Sequence, residues 1–273
     1  MRSISILNLF IGYLILLGSN SNKPVYSSAK ILNCTGNIPK NVACIIKANS
    51  FKVKVRRIDI CQKNPLPNYR SIPDFSGSKC INLINSVISS QDDLNRDKKF
   101  YISKDMNIKK GEYKYISIIL KNNFIVSGKY KTDKYFWATS NEGPMKIIQS
   151  ESNISIPKEF TSKLTNWRGD KNLENKYCVN NGGTPSRCKL QYNGFEMTGI
   201  GLDSNFIETS GYRTKYMFFV SELSPVINFN QNPEGYFSIS LEKNLEVFGN
   251  GAAVKSISIA PFKFKTRYVS EAQ

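Results

Sequence analysis

Six cysteines and no histidine bound the chemistry open to this chain of 273 residues. The cysteines are Cys34, Cys44, Cys61, Cys80, Cys178 and Cys188. Sequence alone leaves their pairing open. Spacing favours a local set, Cys34–Cys44, Cys61–Cys80 and Cys178–Cys188, each closing a loop rich in Gly, Pro and Asn. Closing a loop of roughly 11 to 20 residues contributes about 3 kcal/mol in the chain-entropy picture. No C-x-x-C pair occurs, and the cysteines fall in two distant groups, which argues against a zinc site. The missing histidine excludes Ser-His-Asp and Cys-His arrangements. It also removes the commonest neutral-pH acid–base group and the commonest metal ligand. Paired carboxylates and a Ser-Lys pair remain open for hydrolysis.

The carboxylates available for such work are Asp92, Asp93, Asp203, Glu208 and Glu222. None has the spacing of a calcium loop, and solvated loop charges are the simpler account. Tyr135, Phe136 and Trp137, with the distant Trp167, could stack on a sugar ring. On a strand, Tyr135 and Trp137 share one face and Phe136 takes the other, which equally suits core packing. Thr198-Gly199-Ile200-Gly201 lacks the third glycine and the strand–helix context of a dinucleotide site. Asn33-Cys34-Thr35 and Asn153-Ile154-Ser155 match the glycosylation pattern, which carries no meaning if the source is bacterial. No cofactor is expected.

The net charge is +17. Such a surface attracts polyanions. Lysine is, however, spread along the chain in ones and twos beside abundant Asn, Ile and Ser, a compositional habit that favours solubility. Lys52, Lys54, Arg56 and Arg57 form the one concentrated basic stripe. It suits an acidic partner, or it keeps an outer strand face wet and discourages edge pairing. The expected partners are an acidic glycan, an envelope component or another surface protein, and not nucleic acid.

The start of the chain supports that choice. Met1-Arg2-Ser3 is basic, Ile4 to Gly18 is apolar, and Ser19 to Ala29 is polar with small residues at Ser27 and Ala29. This is the three-part form of a secretory signal over 1–29. An uncleaved anchor is the rival, though the run is shorter than the roughly 20 apolar residues of a spanning helix and contains Asn8. Cys34 lies too far from the apolar run for lipid attachment. No later segment is apolar enough to span a bilayer. The expected location is secreted, periplasmic or cell-surface, where cysteines oxidise.

The elements that must position these residues read as β. Phe51, Val53 and Val55 alternate with Lys52, Lys54 and Arg56, and Ile58 and Ile60 follow on the other parity, so a bulge is expected near Arg57. Glu112 to Leu120 and Phe124 to Tyr130 read as a hairpin around Lys121-Asn122-Asn123. Phe100 to Ser103, Tyr135 to Trp137, Gly235 to Leu241 and Val254 to Ala260 read as strands, and Cys178 and Cys188 flank a hairpin loop. Ile154 to Trp167 is the best helix candidate, with Pro157 in its first turn. Many short strands with frequent turn signals predict a mainly β chain. The expected organisation is one antiparallel β-sandwich domain over 30–273, with a loop-rich insertion about 132–211.

Three pieces carry a resemblance: KVKVRRIDIC (Lys52 to Cys61), CINLIN (Cys80 to Asn85) and KGEYKYISIIL (Lys110 to Leu120). In that order they resemble secreted prealbumin-like or Ig-like β-sandwich domains of bacterial surface and lipoprotein-type proteins. With FIVSGKY (Phe124 to Tyr130), the chain is similar to small exported proteins of marine bacteria. The resemblance covers under a third of the chain, and Glu112 departs from the small residue or Thr usual there. It implies a sandwich and carries over no catalytic residue. The expected function is non-enzymatic binding at the cell envelope or surface. The alternatives are a secreted carbohydrate-active enzyme with paired carboxylates and a structural subunit of a surface assembly.

Overall fold

The computed structural model describes residues 30–40, 42–67, 72–84, 98–102, 108–153, 156–164, 178–179, 187–192, 195–229, 235–241, 244–260 and 264–270. The expected signal at 1–29, Asp92, Asp93 and Trp167 lie outside these residues. The fold is mainly β. The chain begins with β1 (Lys30–Leu32), β2 (Val42–Lys47), β3 (Ser50–Lys52), β4 (Val55–Cys61), β5 (Cys80–Asn82) and β6 (Lys98–Ile102). It continues through β7 (Gly111–Lys121), β8 (Phe124–Ser127), β9 (Lys129–Lys131), β10 (Phe136–Ser140), β11 (Gly143–Ser150) and β12 (Phe160–Ser162). Then come β13 (Cys178–Val179), β14 (Arg187–Tyr192), β15 (Phe195–Leu202) and β16 (Tyr216–Phe229). The last strands are β17 (Gly235–Leu241), β18 (Asn244–Asn250), β19 (Ala253–Ile259) and β20 (Phe264–Ser270).

The largest sheet has seven strands in the order β13-β14-β15-β16-β7-β4-β5. A four-stranded sheet runs β1-β2-β18-β19, and three-stranded sheets run β12-β8-β3, β11-β10-β9 and β20-β17-β6. Pairing is antiparallel except between β1 and β2. No sheet closes on itself among the described residues. The loop-rich stretch 132–211 supplies strands β10 to β15, and β13, β14 and β15 belong to the largest sheet.

Both faces of the largest sheet are apolar, and each is covered differently. On one face Ile58, Ile60, Ile116, Ile118, Leu120 and Phe219 share a core with Phe51, Phe124, Val126 and Phe160 of the β12-β8-β3 sheet. Val247 and Ile257 of the four-stranded sheet join the same core. The other face carries Ile119, Ile200, Leu202, Phe218 and Val220, closed over by Leu66 and flanked by Phe75. Leu66 and Phe75 belong to the loop between β4 and β5, whose ends are joined by the Cys61–Cys80 disulfide. Burying a side chain the size of Leu66 is worth about 2 kcal/mol, and the disulfide lowers the entropy cost of holding the loop over that face.

Cys34 and Cys44 form a second disulfide, and Cys188 is also oxidised, opposite Cys178 in the β13–β14 ladder. Both described bridges follow the local pairing that spacing suggests. Disulfides of this kind persist in oxidising, extracytoplasmic surroundings. Among the described residues no helix is long and apolar enough to cross a membrane.

Three local expectations are corrected. The Lys121-Asn122-Asn123 turn is not a hairpin, because β7 pairs with β4 and β16 while β8 pairs with β3 and β12. The chain crosses there from one sheet to another, and β3 and β4 make the same crossing beside it. The alternating run from Phe51 is therefore two strands, and Lys52, Lys54 and Arg56 do not lie along one. Residues 154–167 do not form the expected helix in their described part, since Phe160–Ser162 is strand β12, with Phe160 opposite Val126 and buried in the core. The expected bulge is present as a register shift between Val55 and Arg57.

Candidate functional site

The two crossings meet at Asn122, which is 3% exposed. Its Nδ2 donates to the carbonyls of Leu164, at 2.8 Å, and Thr214, at 3.0 Å. Its Oδ1 accepts from the Leu164 amide at 2.9 Å. Its backbone N–H donates to the Lys215 carbonyl, and the Lys121 N–H donates to the Lys54 carbonyl, both at 2.8 Å. A side-chain amide has two donors and one acceptor oxygen, and here all are engaged. Asn122 thus ties the segments at 164 and 215 to the end of β7, and the adjacent Lys121 amide holds the segment at 54.

Each tied segment carries a cation. Lys54, Lys121, Lys163 and Lys215 are all exposed, and so are the neighbouring Arg56 and Arg213. None of the six forms a salt bridge among the described residues. Arg56 stands at the bulge, where an extra residue re-aims a side chain. Backbone bonds bring the segments that carry these charges side by side, and neighbouring like charges add their fields at low salt. The result is a basic corner built from four separated stretches of sequence.

A short turn, Gly211–Arg213, forms one side of this corner. The Thr214 N–H donates to the Gly211 carbonyl, and Thr214 is 4% exposed, so the turn is pinned from beneath. Gly211 has φ +71°, which suits glycine. The turn projects Tyr212, which is 87% exposed. The loop leading into it packs closely on β15: Thr209 donates to the Gly201 carbonyl, and a Cβ at Gly201 would stand 2.6 Å from the Thr209 oxygen. Phe206 has φ +61°, a conformation costly for a bulky residue, and its ring stacks on Tyr216 at 5.0 Å.

Three further charged pairs among the described residues have structural roles. Lys52 bridges Glu159 at 2.8 Å. Hydrogen bonds from Lys52 and then Ser50 hold the Glu159 carboxyl below its usual range. Arg57 grips Asp59 through two bonds of 2.7 Å and lies 4.0 Å from the Phe75 ring centroid. Burial pushes the Asp59 carboxyl up, against the hydrogen bond and charge of Arg57. Arg187 bonds Glu208 at 2.7 Å and the Pro67 carbonyl at 3.3 Å, joining the disulfide loop to the 203–215 loop.

The other residues singled out from the sequence fall elsewhere. Trp137 is buried and donates its indole N–H to the Ala252 carbonyl at 3.1 Å, with Tyr135 edge-on to it at 6.1 Å. Trp137 lies on β10 and Tyr135 just before it, in a sheet that contains neither β3 nor β4. Of the carboxylates, Asp203 accepts the Asn205 and Ile207 amides, Glu208 pairs with Arg187, and Glu222 accepts from Tyr115 at 3.4 Å. Among the described residues no group of three or more His, Cys, Asp or Glu could hold a metal ion. Lys121, Lys163, Tyr212, Arg213 and Lys215 carry no sequence signal, because their segments meet only through long-range pairing of β16 with β7 and the Leu164 bonds to Asn122. No protein-family model, curated protein or solved structure matches this chain.

Proposed function

We propose that this chain is an exported, non-enzymatic β-protein that acts by binding an anionic partner at the cell envelope or surface. The observation that carries this reading is the set of six exposed cations on the segments that meet at Asn122, none of them salt-bridged among the described residues. The disulfides and the signal-like 1–29 segment support export. The core shared by the largest sheet and its smaller neighbours supports a sandwich of the prealbumin-like or Ig-like kind. The structural partners held by Asp203, Glu208 and Glu222 favour binding over paired-carboxylate hydrolysis.

Titrating the oxidised chain with dextran sulfate in a calorimeter at low and high salt tests the reading. Saturable binding that weakens with salt, with the polymer recovered intact, is expected. Absence of binding at low salt, or cleavage of the polymer, would overturn it.

A further inference from the structure

We infer that the ligand of the basic corner is an acidic polysaccharide, and that Tyr212 is the residue that recognises its sugar rings. This rests on the reading of the corner as an anion-binding surface and narrows it to one ligand class. Positive charge alone selects any polyanion and distinguishes poorly among them. Selection for sugar needs a flat apolar face beside the cations, because a pyranose ring presents C–H groups to an aromatic ring. Tyr212 meets that requirement.

Tyr212 is 87% exposed, whereas most aromatic rings of the described chain are buried or packed on neighbours. It adds nothing to either core. Its position is nevertheless fixed: Thr214, two residues on, is buried and accepts the Asn122 Nδ2–H bond that organises the lysines. Arg213 follows directly and Lys215 lies one residue beyond Thr214, both exposed. A tight turn therefore holds an open aromatic ring on the same short segment as a guanidinium and an ammonium group, and Asn122 ties that segment to the end of β7 beside Lys121. An aromatic face gives ring contact and the flanking cations take carboxylate or sulfate. Polyphosphate and phospholipid headgroups offer the corner charge but no sugar ring to stack.

The test uses the full oxidised chain and three probes: polygalacturonate, inorganic polyphosphate at equal charge concentration, and vesicles of phosphatidylglycerol. Wild type is expected to bind polygalacturonate more tightly than either other probe. Tyr212→Ala is expected to weaken polygalacturonate binding about tenfold and leave polyphosphate binding unchanged, while Tyr212→Phe retains wild-type affinity. Equal losses for both polymers, no loss for either, or tightest binding to the vesicles would overturn the inference. The double variant Lys121→Glu/Lys215→Glu separates the two levels. If it leaves all binding intact, the anion-binding reading itself fails. If it abolishes binding while Tyr212→Ala has no effect, only the polysaccharide assignment fails.

Discussion

Asn122 and Leu164 exchange two hydrogen bonds, Leu164 N–H to Asn122 Oδ1 at 2.9 Å and Asn122 Nδ2–H to the Leu164 carbonyl at 2.8 Å. Side chain thus mimics backbone, and the segment after β12 is held as an extra strand would be. Asn122→Ala removes these bonds and the one to Thr214, leaving buried backbone groups unpaired. The expected cost is about 3 kcal/mol, read by urea unfolding. A loss below about 1 kcal/mol would show that the crossings hold without it.

Gly201 permits the 203–215 loop to lie against β15. Gly201→Val places side-chain atoms where the Thr209 carbonyl stands, 2.6 Å from an ideal Cβ. The loop must lift, at an expected cost of about 1–3 kcal/mol. Hydrogen exchange at the Thr209 and Lys215 amides should rise well above that of the β16 amides. Unchanged protection there would mean that the loop is held elsewhere.

The Cys61–Cys80 bridge holds the lid formed by Leu66 and Phe75. The double variant Cys61→Ser/Cys80→Ser should lose about 3 kcal/mol. It should also bind a hydrophobic dye where Ile119, Ile200 and Phe218 become accessible. Loss of stability without dye binding would mean that the loop stays closed after the bridge is gone.

Glu246 lies in β18 between Leu245 and Val247, and burial pushes its carboxyl up from 4.5. A raised folded-state value means that the native chain holds this proton more firmly than the unfolded chain. Stability from Glu246 is therefore fully present below pH 4.5 and lost as pH rises through the folded value. Glu246→Gln should be more stable than wild type at neutral pH, and the difference should vanish below pH 4.5. Glu159, lowered by Lys52, works with the opposite sign: its contribution is present above 4.5 and lost as pH falls. Urea unfolding of both chains across pH 3 to 8 reads the two slopes, and a stability loss for Glu246→Gln at neutral pH would contradict the first.

Local pattern made much of the fold legible. Strict alternation identifies Gly235–Leu241 and, one residue late as Val254 to Ala260, the strand Ala253–Ile259, and the parity change at Arg57 identifies the bulge. Local signals stop short where distant bonds decide. Asn122-Asn123 has the chemistry of a hairpin turn, and only the bonds from Leu164, Thr214 and Lys215 make it a crossing between sheets. Phe160 and Leu164 stand four residues apart, as on a helix, yet Phe160 pairs opposite Val126 because the core beyond β8 requires an apolar side chain there. The candidate site was legible only at Lys54 and Arg56. Its other cations are isolated in sequence, so their clustering has no linear signature.

The most direct test of the basic corner compares two charge reversals of equal size. Lys121→Glu/Lys215→Glu alters the corner, and Lys146→Glu/Lys255→Glu alters exposed lysines on β11 and β19. Dissociation constants for dextran sulfate are measured for both and for wild type across a salt series. The corner variant should lose affinity at least about tenfold and show a salt slope shallower by about two, roughly one per lysine, while the control stays near wild type. Equal losses in the two variants would show that net charge alone binds the polymer and would contradict a site at Asn122.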